Sequence, residues 1–265
     1  MKYSEIPAEQ FKFETKTWEP TGNPVATVIW VHGFQEYAER TAHVYEQLAA
    51  SGIQVFAFSQ RGFGHSATKE TAGITGGWPQ QLRDIDYFVK TKKQAGVPLY
   101  LWGHSMGGAL TLKYCLDGEH RHLLAGAISS APLIEQAPSA KPNFLVLQAG
   151  KLAAKFLPDK QMSVVVAVKD CTRDPEFIAK GEADELLRPY GSLRGVGDML
   201  SGGETLLHEA NTKRFTTPIL LVHGSGDLVT SCPATERFYK AIASSDKQFI
   251  EYPGAYHESE STFSS

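Results

Sequence analysis

The sequence predicts an α/β protein: a mostly parallel central sheet flanked by helices, with a helical insertion breaking its rhythm. Three observations predict it. Short β-branched or aromatic runs alternate with longer stretches of helical periodicity. The run ATVIWVH at 26–32 is apolar at nearly every position, as in a strand covered on both faces. From Pro132 to about Thr217 the alternation stops, and it resumes afterwards.

The elements follow in order. Strands are expected at 11–18, 26–32, 53–58, 99–103, 124–129, 219–224 and 247–252, each a short run bounded by Gly, Pro or polar turn residues. Helices are expected at about 38–50, 77–94, 106–117 and 233–244, which supplies right-handed crossovers between parallel strands. Within the insertion, FLVLQAGKLAAKFLP at 144–158 reads as an amphipathic helix ended by Pro158, with Lys151 and Lys155 on its polar side. The expected division is a core of 1–131 and 218–265, with 132–217 folded as a cap or lid over the carboxyl edge of the sheet.

Composition narrows the class of function. The chain has 265 residues, 42% of them hydrophobic and 21% charged, enough to bury a sizeable core. A net charge of −3 gives no reason to expect nucleic acid as a partner. No run reaches the roughly eighteen apolar residues of a membrane span, and the first residues show no apolar signal segment. Cys115, Cys171 and Cys232 lie far apart and form no CxxC, so free thiols in a reducing, cytoplasmic setting are expected.

The chemistry concentrates in a few motifs. Gly103-His104-Ser105-Met106-Gly107 is a G-x-S-x-G lying between a predicted strand and a predicted helix. A serine hydroxyl attacks only when a sharp turn projects it, and glycines let neighbouring backbone pass close by. Such a nucleophile needs a base, and the base an orienting acid, in the order Ser, acid, His. Asp227 follows the strand at 219–224 and His257 follows the strand at 247–252, so both fit. Asp198 and Asp246 are rivals for the acid, but the first lies in the insertion and the second precedes its strand. The backbone N–H groups of Phe34, after strand 26–32, and of Met106, after the serine, are the candidate oxyanion hole.

Other patterns lead nowhere. Gly62–Ala67 matches G-x-G-x-x-A with Asp84 downstream, but polar, glycine-rich sequence follows where a helix should open. There is no phosphate-binding G-x-x-x-x-G-K-[ST], and His208-Glu209 lacks the second histidine of a zinc helix. His120 and His122 sit in a short polar connection and read as solvated. Neither metal nor organic cofactor is implied.

HGFQEYAER, FSQRGFGHS, LWGHSMGGAL, SSAPLI, HGSGDLVTS and YPGAYH together resemble the α/β-hydrolase fold and, as an ordered set, the monoacylglycerol lipases. LAAKFLPDKQM and RPYGSLRGVGDML resemble the fungal branch of that family. The resemblance runs from about 24 to 257 and implies Ser105 as nucleophile, Asp227 as acid and His257 as base. It places Glu36 and Arg40 near the glycerol hydroxyls, the residue-level alternative being a solvated ion pair at a helix start. It also implies a cap helix over an acyl tunnel, with peripheral contact to membranes or lipid droplets; simple packing of that helix is the alternative. Two departures stand out. Ser59 replaces an aspartate before Gln-Arg-Gly, a structural difference. After His257, Glu258 and Ser259 replace apolar residues and ESESTFSS stands where a further packing helix is expected, so an apolar strip of the sheet layer should be exposed.

The expected function is ester hydrolysis of monoacylglycerols to fatty acid and glycerol through an acyl-enzyme, without a cofactor. Two alternatives remain: a lysophospholipase or broad carboxylesterase using the same triad, and an inert hydrolase fold serving as a binding protein.

Overall fold

Alternating strand and helix patterns condense here into one eight-stranded sheet. The computed structural model describes residues 2–6, 11–141 and 143–258, the side chains of 2–6, 144 and 147 excepted. The strands are β1 (Lys2–Ile6), β2 (Phe11–Trp18), β3 (Ala26–Val31), β4 (Ile53–Phe58), β5 (Leu99–His104), β6 (Gly126–Ser130), β7 (Gln161–Ser163), β8 (Tyr190–Ser192), β9 (Ile219–Gly224) and β10 (Lys247–Tyr252). The helices are α1 (Ala42–Ala50), α2 (Trp78–Lys92), α3 (Met106–Asp117), α4 (Phe144–Phe156), α5 (Val168–Cys171), α6 (Pro175–Glu182), α7 (Leu193–Thr205), α8 (Glu209–Thr212) and α9 (Cys232–Ala241).

The main sheet runs β1-β2-β4-β3-β5-β6-β9-β10. β1, β2 and β4 pair antiparallel, and every neighbour from β4 to β10 is parallel. This is the α/β-hydrolase architecture expected from the motifs. Parallel strands need crossovers, and the helices that provide them cover both faces. On one face Leu101, Ala127 and Leu221 join Phe88, Leu110 and Phe238, from α2, α3 and α9, in the main core. On the other, Trp30 and Val55 pack beneath Tyr45 of α1.

Beyond α1 that second face is less covered. Trp102, Ile128 and Leu220 stand side by side in register, with Ile250 one row on, and all four are half-buried. The expected apolar strip therefore exists in milder form, partly buried instead of exposed. Residues 259–265, on which the expectation about a further packing helix falls, lie outside the described residues.

One expected helix boundary moves: α1 starts at Ala42 and not near 38. Gln35 has φ +67°, and turns occupy residues 34–35 and 38–41. Between β6 and β9 the chain forms α4 to α8 and the small antiparallel β7–β8 ribbon. Strand pairs of three residues are too short to leave a period-two signal, so the sequence alone did not reveal them. The inserted segment is tied to the sheet side at several points. Gln35 Nε2 donates to Val164 O at 2.5 Å, Tyr37 Oη to Asp184 Oδ2 at 2.9 Å, and Ser192 N to Gly73 O at 2.9 Å. α4 packs on α7 but leaves Leu145, Val146, Leu152 and Phe156 exposed, Phe156 at 77%. Among the described residues no helix is long and apolar enough to cross a membrane.

Candidate active site

The turn after β5 is tight, and backbone contact dictates its sequence. Ser105 sits between β5 and α3 at φ 55°, ψ −118°, a region that side chains rarely adopt. A Cβ on Gly103 would lie 2.1 Å from Gly107 O, and one on Gly107 would lie 2.0 Å from Val31 O. Both contacts are with backbone, so neither position accepts a side chain. The turn is pinned by Ser105 N donating to Ser130 O at 2.9 Å and by Leu133 N donating to Ser105 O at 3.0 Å.

Two loops at the same edge bring in Asp227 and His257. His257 Nδ1 lies 2.7 Å from Asp227 Oδ2, and both side chains are buried. An imidazole nitrogen facing a carboxylate carries the proton, which turns the other nitrogen, Nε2, into the acceptor. Ser105 and His257 line the same cavity. Asp227 is heavily hydrogen-bonded: Oδ1 accepts from Val229 N (2.7 Å) and Thr230 N (2.9 Å). Burial pushes its carboxyl up, but the charge of His257 and the hydrogen bonds from His223 and His257 outweigh it and hold the group well below the usual carboxylate range.

His223 is a contact that the sequence reading did not single out. Its Nε2 lies 3.0 Å from Asp227 Oδ2, and its Nδ1 lies 2.9 Å from Thr235 Oγ1. The side chain is fully buried. Burial lowers its pKa against the opposing pull of Asp227, so it stays neutral and donates from Nε2. The spacing H-x-x-x-D in HGSGD was the available signal, since a turn folds the fifth residue back on the first.

The rival acids stand elsewhere. Asp198, on α7, accepts from Trp78 N at 3.1 Å, and Asp246 is an exposed residue before β10. The Gly62–Ala67 motif opens only a three-residue 3-10 turn, and Asp84 is held by Arg61 at 2.7 and 2.9 Å. His120 is not simply solvated: its Nδ1 lies 2.7 Å from Asp86 Oδ2.

Met106 opens α3, so its N–H belongs to the first turn, whose donors have no partner within the helix. Phe34 follows Gly33, whose own N–H donates to Glu36 Oε2 at 2.6 Å. Glu36 and Arg40 form an ion pair at 3.4 Å that is buried and precedes the helix, unlike a solvated pair at a helix start. Burial raises the Glu36 carboxyl, and the charges of His104, Arg40 and His32 overcome it, leaving the group lowered. Glu258 is buried beside them, 3.8 Å from Arg40.

Two sets of metal-type donors come within 4.8 Å of one another among the described residues: Glu36, His104 and Glu258, and Asp86, Glu119 and His120. Arg40 already occupies the charge environment of the first. In the second, Asp86 accepts from Tyr114 Oη, His120 N and the His120 ring.

Two cavities meet at Ser105 and Phe34. One, of about 530 Å³, is lined by Leu133, Met162, Val196, Met199, Leu200 and Leu228. The other, of about 420 Å³, holds Glu36, Arg40, His104, Asp184, His257 and Glu258.

Comparison with known proteins matches this architecture. The profile of the family described as "Serine aminopeptidase, S33" covers residues 22–260. A Schizosaccharomyces pombe relative is 38% identical over 246 residues, 92% of this chain and 65% of the relative. The monoglyceride lipase of Saccharomyces cerevisiae is 32% identical over 240 residues, 87% of this chain and 76% of that protein. The chain thus spans about two thirds to three quarters of the length of these relatives. A crystal structure of a soluble variant of the Saccharomyces cerevisiae monoglyceride lipase, in complex with a substrate analog, superposes with a TM-score of 0.90 at 29% identity. That match covers 97% of this chain and 86% of the solved one. The chain belongs to the S33 serine aminopeptidase family of hydrolases and is a homologue of the monoglyceride lipases.

Proposed function

We propose that this protein is a serine hydrolase that cleaves monoacylglycerols to a fatty acid and glycerol. The observation that carries the reading is the meeting of two unlike cavities at Ser105. A chamber lined by Leu133, Met162, Met199 and Leu200 suits an acyl chain, and one that also carries charged side chains such as Glu36 and Arg40 suits a small hydroxylated alcohol.

In this mechanism Ser105 Oγ attacks the ester carbonyl as His257 Nε2 takes its proton. Asp227, accepting from His257 Nδ1, fixes the tautomer and stabilises the imidazolium that forms. The N–H groups of Phe34 and Met106 bind the oxyanion; one such donor contributes about 2.7–4 kcal/mol. Collapse of the tetrahedral intermediate expels the glycerol oxygen, which His257 Nε2–H protonates. Water, deprotonated by His257, then attacks the acyl-enzyme, and Ser105 leaves with the proton. Glu36 and Arg40 meet the glycerol hydroxyls. The segment 132–217 acts as the cap, and the exposed apolar row on α4 supports peripheral contact of that cap with a lipid surface.

The test is a fluorophosphonate probe followed by turnover. The probe should label Ser105, and Ser105→Ala should lower monoolein hydrolysis on the order of 10⁴–10⁶-fold. A folded protein that resists labelling, or a mutant keeping a tenth of the activity, would overturn the assignment. Lysophosphatidylcholine and p-nitrophenyl butyrate, assayed beside monoolein, separate this reading from the lysophospholipase and general esterase alternatives.

A further inference from the structure

We propose that Gln35 is a positioning residue for the reaction: its amide holds the β7–β8 ribbon of the inserted segment against the turn that carries the Phe34 N–H, and so aims that donor at the oxyanion. This extends the hydrolase reading above, on which it rests, to a residue that acts through Phe34.

Gln35 occupies a backbone position better suited to glycine. Gly33–Glu36 is a β-turn closed by Glu36 N donating to Gly33 O at 3.4 Å, and its third residue, Gln35, has φ +67°. Glycine or asparagine is favoured there, because a Cβ crowds the backbone at positive φ. The Gln35 side chain is nevertheless buried, and its Nε2 donates to Val164 O at 2.5 Å, across 129 residues of sequence. Glycine would relieve the backbone and forfeit this bond. Val164 continues the ribbon: it follows β7, and its own N–H donates to Pro189 O at 3.0 Å, just before β8. The preceding residue meets the other strand. A Cβ on Gly191, in β8, would lie 3.2 Å from the Phe34 ring, and that ring makes a T-shaped contact with Phe63 at 5.6 Å. Two consecutive residues of one turn therefore engage both sides of the same ribbon. Gly33 N, donating to Glu36 Oε2 at 2.6 Å, fixes the ends of the turn, and Gln35 fixes its middle. Catalytic groups must be held to within about 0.5 Å of their working geometry. Without the amide bond the positive φ favours rearrangement of the turn, and the Phe34 N–H loses its aim.

Two variants test this. Gln35→Met keeps the length of the side chain and loses the donor; Gln35→Gly also relieves the backbone, so a folded variant is at hand. Turnover of p-nitrophenyl butyrate is expressed per Ser105 titrated with a fluorophosphonate, which leaves misfolded protein uncounted. Both variants should lower kcat per titrated site about tenfold with KM within about twofold, since complete loss of an oxyanion donor costs roughly 10²–10³-fold. The Ki of a short trifluoromethyl ketone, which adds to serine as a tetrahedral oxyanion, should rise in the same proportion. Tyr37→Phe cuts the neighbouring bond from this loop to Asp184 and should leave kcat and Ki within about twofold of the wild type. Variants of Gln35 that lose titratable sites but keep kcat per site reveal a structural role and overturn the inference. So does a fall in kcat with Ki unchanged. A loss in Tyr37→Phe as large as that in Gln35→Met also overturns it, because the effect then belongs to docking of the whole inserted segment. A wild type that neither titrates nor turns over ester removes the hydrolase reading and this inference with it, whereas an active wild type with unaffected Gln35 variants overturns this inference alone.

Discussion

Ser105 holds the chain at φ 55°, ψ −118°, and that strain should be measurable as stability. Non-glycine residues in such sparsely populated regions typically cost about 1–3 kcal/mol. Ser105→Ala keeps the Cβ and therefore the strain. Ser105→Gly removes the Cβ, but it gives the unfolded chain extra freedom worth about 0.4–1 kcal/mol. The net expectation is that the glycine variant is more stable than the alanine variant by about 1–1.5 kcal/mol. For a domain of this size the unfolding entropy is roughly 0.56 kcal/mol per degree, so the glycine variant should melt about 2–3 °C higher. Both variants lack the Ser105 hydroxyl, so the comparison isolates the backbone. Thermal melts at a single scan rate, with urea midpoints as an independent check, read the difference. A glycine variant that melts at or below the alanine variant would refute the idea that this turn stores strain.

Two further outcomes follow from the buried histidines. His223 donates to the carboxylate that orients His257. His223→Ala should therefore lower kcat about tenfold with KM little changed, since one charge-assisted hydrogen bond is lost. It should also move the acidic limb of the kcat profile to higher pH, because a less satisfied Asp227 holds the His257 proton more tightly. His223→Gln, which restores an N–H, should recover part of both; identical profiles for Ala, Gln and wild type would rule out the positioning role. Stability should also depend on pH. Burial lowers the pKa of His32 and of His223, so between the folded and unfolded values the unfolded chain binds more protons. The stabilisation is complete above about pH 6.5 and is lost as the pH falls, by about 1.4 kcal/mol per unit for each histidine. His32 shows why: its Nε2 accepts from Gln60 N at 2.8 Å, and protonation removes that acceptor. Melting temperatures should hold steady from pH 8 to 7 and drop by roughly 5 °C per unit below 6.5; a flat profile down to pH 5 would contradict the sign argued here.

The parallel sheet was legible because its strands carry long apolar runs, and the elbow because backbone crowding leaves Gly103 and Gly107 no alternative. Chain order alone singled out Asp227 and His257, each a few residues after its strand, and their side chains meet at 2.7 Å; their catalytic roles are the proposal made above. What escaped was set by neighbours distant in sequence. Glu258 looked like a polar departure from an apolar pattern, yet Arg40, more than two hundred residues earlier, makes its burial tolerable. The start of α1 slipped from 38 to 42 because the positive φ at Gln35 and the turns at 34–35 and 38–41 hold that stretch out of helix. The short elements of the inserted segment carry too few residues for any periodic signal, and their positions come from packing over the site.

The loop that delivers His257 is fixed from two sides, and the two do different work. From the sheet, Gly226 N donates to Ala255 O at 2.9 Å and Gly254 N to Ser225 Oγ at 2.8 Å. Gly224 lets this loop lie so close that a Cβ there would sit 2.3 Å from Ala255 O. From the inserted segment come the Glu258–Cys171 hydrogen bond and the stacking of Arg173 on Tyr256 at 4.1 Å. The sheet-side contacts all precede His257 and join its loop to residues 224–226, just before Asp227. An outward movement of the inserted segment would therefore break the contacts to Tyr256 and Glu258 while leaving the His257–Asp227 pair in place. Access to the cavities and an assembled His257–Asp227 pair are compatible in this design, because His257 is anchored by strand-end geometry and only the residues flanking it by the inserted segment.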